Sequence, residues 1–217
     1  MMTNLFSVFD PCTGYLSLNW LSTMLFLVII PYNFWLLPNK ILMFTNLIMI
    51  ILDKEMKSLM NYKGTNLLML SMFMLILTNN SMGLLPYVFT SSSHLIFSLS
   101  LAIPMWLSFM IYGWTNKTNH MFCHLVPMGT PSILMPFMVM IETISNIIRP
   151  GSLAVRLTAN MIAGHLLMSL LGSNTNNMYM IMVLMIILLL LMMFELAVSI
   201  IQSYVFLTLS TLYSSEI

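Results

Sequence analysis

Four charged residues lie in the most apolar part of the chain, and their types and spacing could do chemistry. Glu142, Arg149 and Arg156 are spaced seven and seven, and Glu195 stands alone in the next apolar stretch. Seven residues are nearly two helical turns, so the first three would share one face with ~20° of drift per step. A charge at the centre of a membrane helix costs about 2.5–3.5 kcal/mol, so it is rarely there without a role.

The charge of each side chain limits what it could do with protons. A guanidinium stays charged at physiological pH, so Arg156 cannot relay protons but can act as a fixed positive wall. Carboxylates and imidazoles can relay them, because burial favours their neutral forms. A proton path interrupted by Arg156 would therefore be two half-paths separated by an electrostatic barrier. Asn160 lies nearly on the same face, and Gln202 shares a face with Glu195 on the following stretch.

Plainer interpretations of the same side chains stay open. Arg149 would neutralise Glu142, which lies two helical turns earlier. Gln202 would form a hydrogen bond between helices, as a lone glutamine in a membrane helix commonly does. Arg156 would be one half of a buried pair whose partner the sequence does not reveal.

The overall composition indicates an integral membrane protein. Apolar residues make up 59% of the 217 residues and charged residues only 6%, with a mean hydropathy of +0.95. A soluble domain carries roughly 25% charged residues. The composition therefore excludes a soluble enzyme, a basic nucleic-acid binder and a disordered tail. The sequence contains no phosphate-binding glycine motif, so no nucleotide chemistry is predicted for this chain.

Metal and cofactor chemistry is not predicted either. Cys12 and Cys123 are isolated and fit no metal-binding spacing. His120 and His124 are four residues apart, which suits one metal ion, but no third ligand is near them in the sequence. These two histidines and His94 fall at the ends of apolar stretches or in loops, where solvation is the commoner state.

The apolar stretches predict an all-α integral membrane protein that forms a single membrane domain over residues 1–217. About 20 apolar residues cross a bilayer core of ~30 Å. One stretch is charged toward its end, so we expect it to lie in the membrane interface as an amphipathic helix. The predicted segments are a span at 15–37, the interfacial helix at 41–60, spans at 67–85 and 95–114, and two long helices at 132–171 and 178–212.

The last two helices are too long to stand upright in a bilayer. Over 136–171 and 178–212 they would measure about 54 and 52 Å, against ~30 Å of hydrocarbon. They must tilt steeply or break, and Pro150–Gly151 is where a break or a kink is expected. The polar run 172–177 is a turn, so the C-terminal third is predicted to be a long, steeply tilted helical hairpin.

The distribution of lysines predicts the orientation of the chain. Four lysines lie between the first two spans, one lies before the hairpin, and the two connections on the other side have none. The lysine-bearing side is therefore the cytoplasm or matrix, and the C-terminus lies on it while the N-terminus faces away. The first charge is Asp10 and no arginine precedes Arg149, which fits neither a secretory signal nor a transit peptide.

Several motifs carry a family resemblance. The run LAVRLTANMIAGHLL over residues 153–167 resembles the most specific signature of subunit a of the F-type ATP synthase, in its animal mitochondrial form. Mitochondrial encoding would also account for the 26 methionines and the missing transit peptide. Further segments that extend the resemblance over nearly the whole chain are IETISNIIRPG at 141–151, IQSYVF at 201–206, the opening residues 1–11, MGLLPY at 82–87 and HLVP at 124–127.

This resemblance implies a proton-translocating stator subunit beside a rotating ring of c subunits, each with a carboxylate in the membrane. Arg156 matches the family's essential arginine, which faces that carboxylate and keeps two offset half-channels from short-circuiting. Asn160 and Gln202 match polar neighbours of that arginine. The chain would couple proton flow to ring rotation and ATP synthesis as a non-catalytic subunit, without a cofactor or metal of its own.

The resemblance also implies the two half-channels. His165 and Glu195 match positions on the intermembrane-space side, where bacterial members carry the glutamate and the histidine in exchanged order. Glu142 and Ser145 match the exit path on the matrix side. Because His165 is nine residues from Arg156, it lies about 180° around the helix and should face away from the arginine unless the helix is distorted.

Location and partners follow from the same resemblance. We expect a multi-pass protein of the mitochondrial inner membrane, with its N-terminus in the intermembrane space and its C-terminus in the matrix. The implied partners are the c-ring, the peripheral stalk, other membrane-sector subunits, lipid and protons, but no nucleic acid.

Two other functional classes are open on the residues alone. A haem-binding electron-transfer subunit would need axial histidine pairs deep in the spans, whereas three of the four histidines lie at span edges or in loops. A secondary transporter would show internal repeats, which we do not find.

Overall fold

The helices of this chain are described from a computed structural model. Seven α-helices and three 3-10 helices make up most of the described residues, and no strand occurs among them. The predicted all-α membrane fold is therefore confirmed. The structure describes residues 5–12, 14, 16–30, 35, 37–60, 64–126, 129–173 and 178–216.

The helices follow one another along the chain with short connections. The 3-10 helices are Leu5–Phe9, Leu18–Met24 and Ser91–Ser93. The α-helices are α1 (Leu25–Ile29), α2 (Lys40–Leu59), α3 (Thr65–Gly83), α4 (Leu95–Asn116), α5 (Thr118–Leu125), α6 (Met135–Ser173) and α7 (Met178–Ser215).

The two longest helices, α6 and α7, correspond to the predicted hairpin. They contain 39 and 38 residues, or about 57–58 Å of helix each. α6 runs through Pro150 without interruption, although a proline removes one backbone hydrogen bond. Pro150 is buried, with α4 and α7 packed around it. The predicted break at Pro150–Gly151 is therefore wrong, while a kink there and the steep tilt stay predictions. Part of the predicted turn, residues 174–177, lies outside the described residues.

Three helices in the described part of the chain are long and apolar enough to cross a membrane, namely α4, α6 and α7 from Ile181 onward. α3, with 19 residues, occupies the position of the predicted span at 67–85. The predicted span at 15–37 contains a shorter apolar segment, Leu18–Ile29, in which a 3-10 helix passes directly into α1. Residues 15, 31–34 and 36 of that prediction lie outside the described residues.

α2 occupies the segment predicted as an interfacial helix. Leu52 and Met56 are buried in a cluster formed with α3, α4 and α7. Asp53 and Lys57, one turn apart, form an ion pair on its more exposed side. The helix is therefore amphipathic at its charged end, and its place at the membrane interface stays a prediction.

The core lies where α3, α4, α6 and α7 meet, and it fixes one face of α6. Small and branched side chains of α6 fill the space between the other three helices, which leaves the opposite face of α6 uncovered. The buried residues of this cluster are Ile76, Ala102, Leu153, Ala154, Leu157 and Phe206.

The two ends of the bundle differ in composition. At one end, Gly83 closes α3 beside Met161 of α6, and the α3–α4 connection lies near the C-terminal half of α6. We call this the hairpin end. The other end holds α5, the C-terminal end of α2 beside Met60 and the last turn of α7, and we call it the lysine end.

Candidate functional site

Arg156 lies near the middle of α6 and faces outward. Its side chain is exposed, as are Ser152, Ala159 and Ala163. Spacings of four, three and four residues align these four positions in one stripe along the helix. Because serine and alanine side chains are short, a neighbouring helix could come close to the guanidinium. We call this surface the arginine stripe.

Arg156 has no charged partner within the described part of the chain. All six acidic residues are described, yet the ion pairs that they form involve only Lys57 and Arg149. An intrachain pair for Arg156 is thus not found among these residues. Since an unpaired charge at bilayer depth is costly, the described residues leave the guanidinium in need of an acidic or polar partner.

Arg149, by contrast, is engaged on three sides. Its guanidinium forms an ion pair with Glu216, lies 3.7 Å from Oε1 of Glu142, and stacks on Tyr213 with Cζ 4.9 Å from the ring centroid. The predicted pairing of Arg149 with Glu142 is therefore present, and Glu216 is a partner that the sequence did not suggest. These contacts join α6 to the last turn of α7 at the lysine end.

A cavity of about 230 Å³ opens beside Arg149 at the lysine end. It has room for several water molecules. The Glu142 side chain remains 38% exposed, so water or a partner can reach its carboxylate. Ser145 is half-buried, and its hydroxyl donates to the Glu142 carbonyl oxygen at 2.8 Å. Residues on the cavity wall include Trp106, Trp114, His124, Glu142, Arg149 and Glu216.

His165 faces away from the arginine stripe, as its separation from Arg156 predicts. The half-buried ring lies edge-on to Phe9, with centroids 6.2 Å apart, and lies beside the backbone of Gly83. Its Nε2 atom is enclosed and has no hydrogen-bond partner among the described residues. An internal water ordinarily satisfies a ring nitrogen in that state.

Glu195 is only 6% exposed and lies against the backbone of Gly164, the residue before His165. A Cβ atom built on Gly164 would stand 2.5 Å from Cδ and 2.9 Å from Oε1 of Glu195. The carboxyl group therefore fits only because residue 164 has no side chain. The structure thus brings the glutamate of α7 against the residue that precedes the histidine on α6.

A buried polar cluster at the hairpin end was missed in the sequence. Asn79 and Asn80 of α3 are 5% and 0% exposed, and Ser92 in the following 3-10 helix is 0% exposed. Both asparagine Nδ2 atoms, Oδ1 of Asn80 and Oγ of Ser92 have no partner within the described ranges. Leaving such atoms unpaired is costly, so internal waters are expected among them. The available signal was the run Thr-Asn-Asn-Ser within an apolar stretch.

Two predicted polar neighbours of Arg156 form no side-chain hydrogen bond with the described residues. Asn160 and Gln202 are half-buried, and the described residues offer neither side chain a hydrogen bond. The plainer interpretation of Gln202, a hydrogen bond between helices, is therefore not found there. Ser199 and Ser203, which flank Gln202, are buried and donate to carbonyls of their own helix.

Together these features define a class of protein. An all-α membrane fold holds an outward, unpaired arginine at mid-helix, with a carboxyl-containing polar region toward each end of the bundle. This arrangement is typical of subunits that move protons or ions across a membrane.

Comparison with known proteins gives the family. Residues 15–215 match the family described as ATP synthase A chain. The chain is 60% identical to ATP synthase subunit a of Anopheles quadrimaculatus, 60% to that of Drosophila yakuba and 61% to that of Aedes aegypti, each over the full length of both chains. The chain therefore belongs to the ATP synthase A chain family, the proton-translocating subunits of the membrane sector. The resemblance inferred from the motifs is confirmed.

Proposed function

We propose that this chain forms two offset proton half-channels against a rotating ring of c subunits, with Arg156 as the barrier between them. The observation that carries this proposal is the outward, unpaired Arg156 on its stripe of small residues. A ring carboxylate that reached the guanidinium would pair with it in the ionised form and so give up its proton. Because the guanidinium keeps its charge, protons could not pass directly between the half-channels.

Protons would be taken up at the hairpin end. The unpartnered atoms of Asn80 and Ser92, together with Nε2 of His165, would hold a file of internal waters. Glu195, held against Gly164, would pass the proton to a ring carboxylate. The membrane potential would supply ~2.3 kcal/mol per proton for each 100 mV.

Protons would be released at the lysine end. After nearly a full turn of the ring, its carboxylate would lose the proton toward Glu142 and Ser145 on α6. The cavity beside Glu142 gives that carboxylate a connection to water. Arg149 would hold Glu142 in place as a structural charge, with Asn160 and Gln202 as polar neighbours of the barrier.

This mechanism requires a defined setting. We place the chain in the mitochondrial inner membrane as a multi-pass protein, with the N-terminus and the hairpin end toward the intermembrane space and the C-terminus toward the matrix. The lysines at the opposite end support this orientation. The c-ring, the peripheral stalk and other membrane-sector subunits are the proposed partners.

A cross-linking experiment tests the surface that faces the ring. In a complex whose exposed Cys12 and Cys123 are replaced by serine, Ala159→Cys should carry a maleimide-linked benzophenone. We expect irradiation to join this position to a ring subunit, because Ala159 lies on the arginine stripe. The adduct is identified by gel shift and mass spectrometry.

Ala154→Cys is the matched control, since Ala154 is 0% exposed on the opposite face of the same helix. It should give adducts only within the chain, if it reacts at all. Lipid adducts alone at position 159, in a complex that retains its ring, would contradict the proposed surface.

An isosteric change tests the water file on the uptake side. Asn80→Leu should slow proton flux through the membrane sector roughly fivefold, the factor corresponding to about 1 kcal/mol for one lost hydrogen bond to a path water. The complex should still assemble, because an apolar side chain of that size replaces atoms that lack a protein partner. Flux is measured in vesicles with a potassium diffusion potential.

Thr78→Val is the control for this variant. The Thr78 hydroxyl already donates to the Met74 carbonyl oxygen at 2.8 Å, so it has no further hydrogen to donate to a water. Its replacement should leave flux unchanged. Equal flux in the Asn80→Leu and parent complexes would exclude Asn80 from the path.

A further inference from the structure

His94 stands at the outer edge of the buried polar cluster and has no assigned role. It is the residue between the 3-10 helix Ser91–Ser93 and α4. Its half-buried ring stacks on Phe89, with centroids 5.2 Å apart and an angle of 28°, and lies 5.2 Å from the ring of Trp20. Two aromatic neighbours thus fix the imidazole in one orientation.

The orientation of the ring leaves one nitrogen without a protein partner. Nε2 of His94 is enclosed and makes no hydrogen bond to the described part of the chain. If the ring were there only to pack, an apolar aromatic residue would avoid the cost of this unpaired atom. An enclosed nitrogen of this kind indicates a water on the inner side of the ring.

The residues that precede His94 lie between it and the inner histidine. The Thr90 and Ser93 hydroxyls lie 3.0 Å apart. The Thr90 methyl group also lies against Gly83, whose backbone lies beside the His165 ring. Gly83 is one turn of α3 beyond Asn80, so the unpartnered amide of that residue faces the same region. His94 is therefore the outer member of a polar series that ends at His165.

We propose that His94 is the outer proton carrier of the uptake half-channel, upstream of His165. The inference depends on the proposed function, because it assumes that protons enter at the hairpin end. In each cycle, Nε2 would accept a proton from a water connected to the outside and then release it to an internal water, so that the ring returns to its starting tautomer. One proton is moved in each cycle, and no electrons are transferred. An imidazole suits this task because it gains and loses protons near neutral pH.

The test is the replacement His94→Gln in the whole complex, followed by chemical rescue. Glutamine keeps hydrogen-bonding capacity, but its amide cannot take up and release a proton at neutral pH. We expect proton flux to fall about tenfold, less than the 10²–10⁴ of a fully committed proton-transfer group because water can bypass it. Millimolar imidazole should restore most of the flux. Pyrazole, which has a similar shape but is not protonated at neutral pH, should not.

His120→Gln is the matched control. His120 is exposed on α5 at the lysine end, where its ring lies against that of His124. The same substitution there should leave flux unchanged and insensitive to imidazole.

Unchanged flux in His94→Gln would overturn the inference, and so would a loss that imidazole does not repair, since that loss would indicate a packing role. His94→Asn is measured in the same way if the first variant assembles poorly. Failure of both variants to assemble also counts against a carrier role, which assembly does not require.

Glu195→Gln separates the two proposals. If that variant retains full flux, the uptake path itself is wrong, whatever His94 does.

Discussion

Replacing Arg156 with alanine should abolish coupled ATP synthesis while protons still leak through the membrane sector. The variant removes the only charge on the arginine stripe, so a ring carboxylate would no longer be discharged at that point. Removing a preorganised electrostatic group of this kind typically costs a factor of 10² to 10³. We therefore expect synthesis to fall at least about 10²-fold, and passive flux to remain or increase. Both are measured on the same vesicles, before and after removal of the catalytic sector.

The leak distinguishes a barrier from a structural residue. A protein that had misfolded would lose synthesis and conduction together, along with its ring. Lys54→Ala is a suitable control, because Lys54 is an exposed cation on α2 far along the chain from the stripe. It should leave coupling intact. Fully coupled synthesis by the Arg156→Ala complex would overturn the proposed mechanism.

Gly164→Ala should disable proton uptake, although it adds only one methyl group. The new Cβ atom would fall within 2.5 Å of Cδ of Glu195, so the carboxyl group must move. A displacement of about 1 Å at a reacting group can cost ~10²-fold in rate, and we expect proton flux to fall by about that factor. Flux and the amount of assembled complex are measured together.

Gly151→Ala is the control for helix propensity. Gly151 also lies within α6, but a Cβ atom there would meet nothing within 4 Å. In both variants alanine is the better helix former by about 1 kcal/mol, so propensity alone would make both neutral or stabilising. A loss confined to position 164 would identify contact with Glu195 as the cause. If Gly164→Ala conducts normally, Glu195 is not held where the structure has it.

Features set by a single helix could be predicted from the sequence. The all-α membrane fold follows from composition, and the row formed by Glu142, Arg149 and Arg156 follows from spacing along α6. The position of His165 on the far side of that helix follows from the same geometry. The family motifs lie within continuous segments of the sequence, so the family could also be predicted from them. The roles of these residues in a proton path remain predictions.

Features that depend on packing between helices could not be predicted. Asn80 lies near the end of an apolar stretch, and its burial results from the elements that cover it. The contact between Gly164 and Glu195 joins positions 31 residues apart, and no local pattern encodes it. Pro150 suggested a break in α6, but α4 and α7 pack around the buried proline and the helix stays continuous. Glu216 follows the last predicted helix, so nothing placed it beside Arg149.

The small side chains on either side of Arg156 have a consequence for motion. Each contact between non-bonded atoms contributes only about 0.1–0.2 kcal/mol, and the short side chains of Ala159 and Ala163 can form few such contacts with a neighbouring helix. A ring of c subunits that moved along the arginine stripe would therefore meet few contacts that depend on side-chain shape. Its resting angles would then be set by charge attraction alone, which makes the torque needed to start each step depend on electrostatics more than on shape.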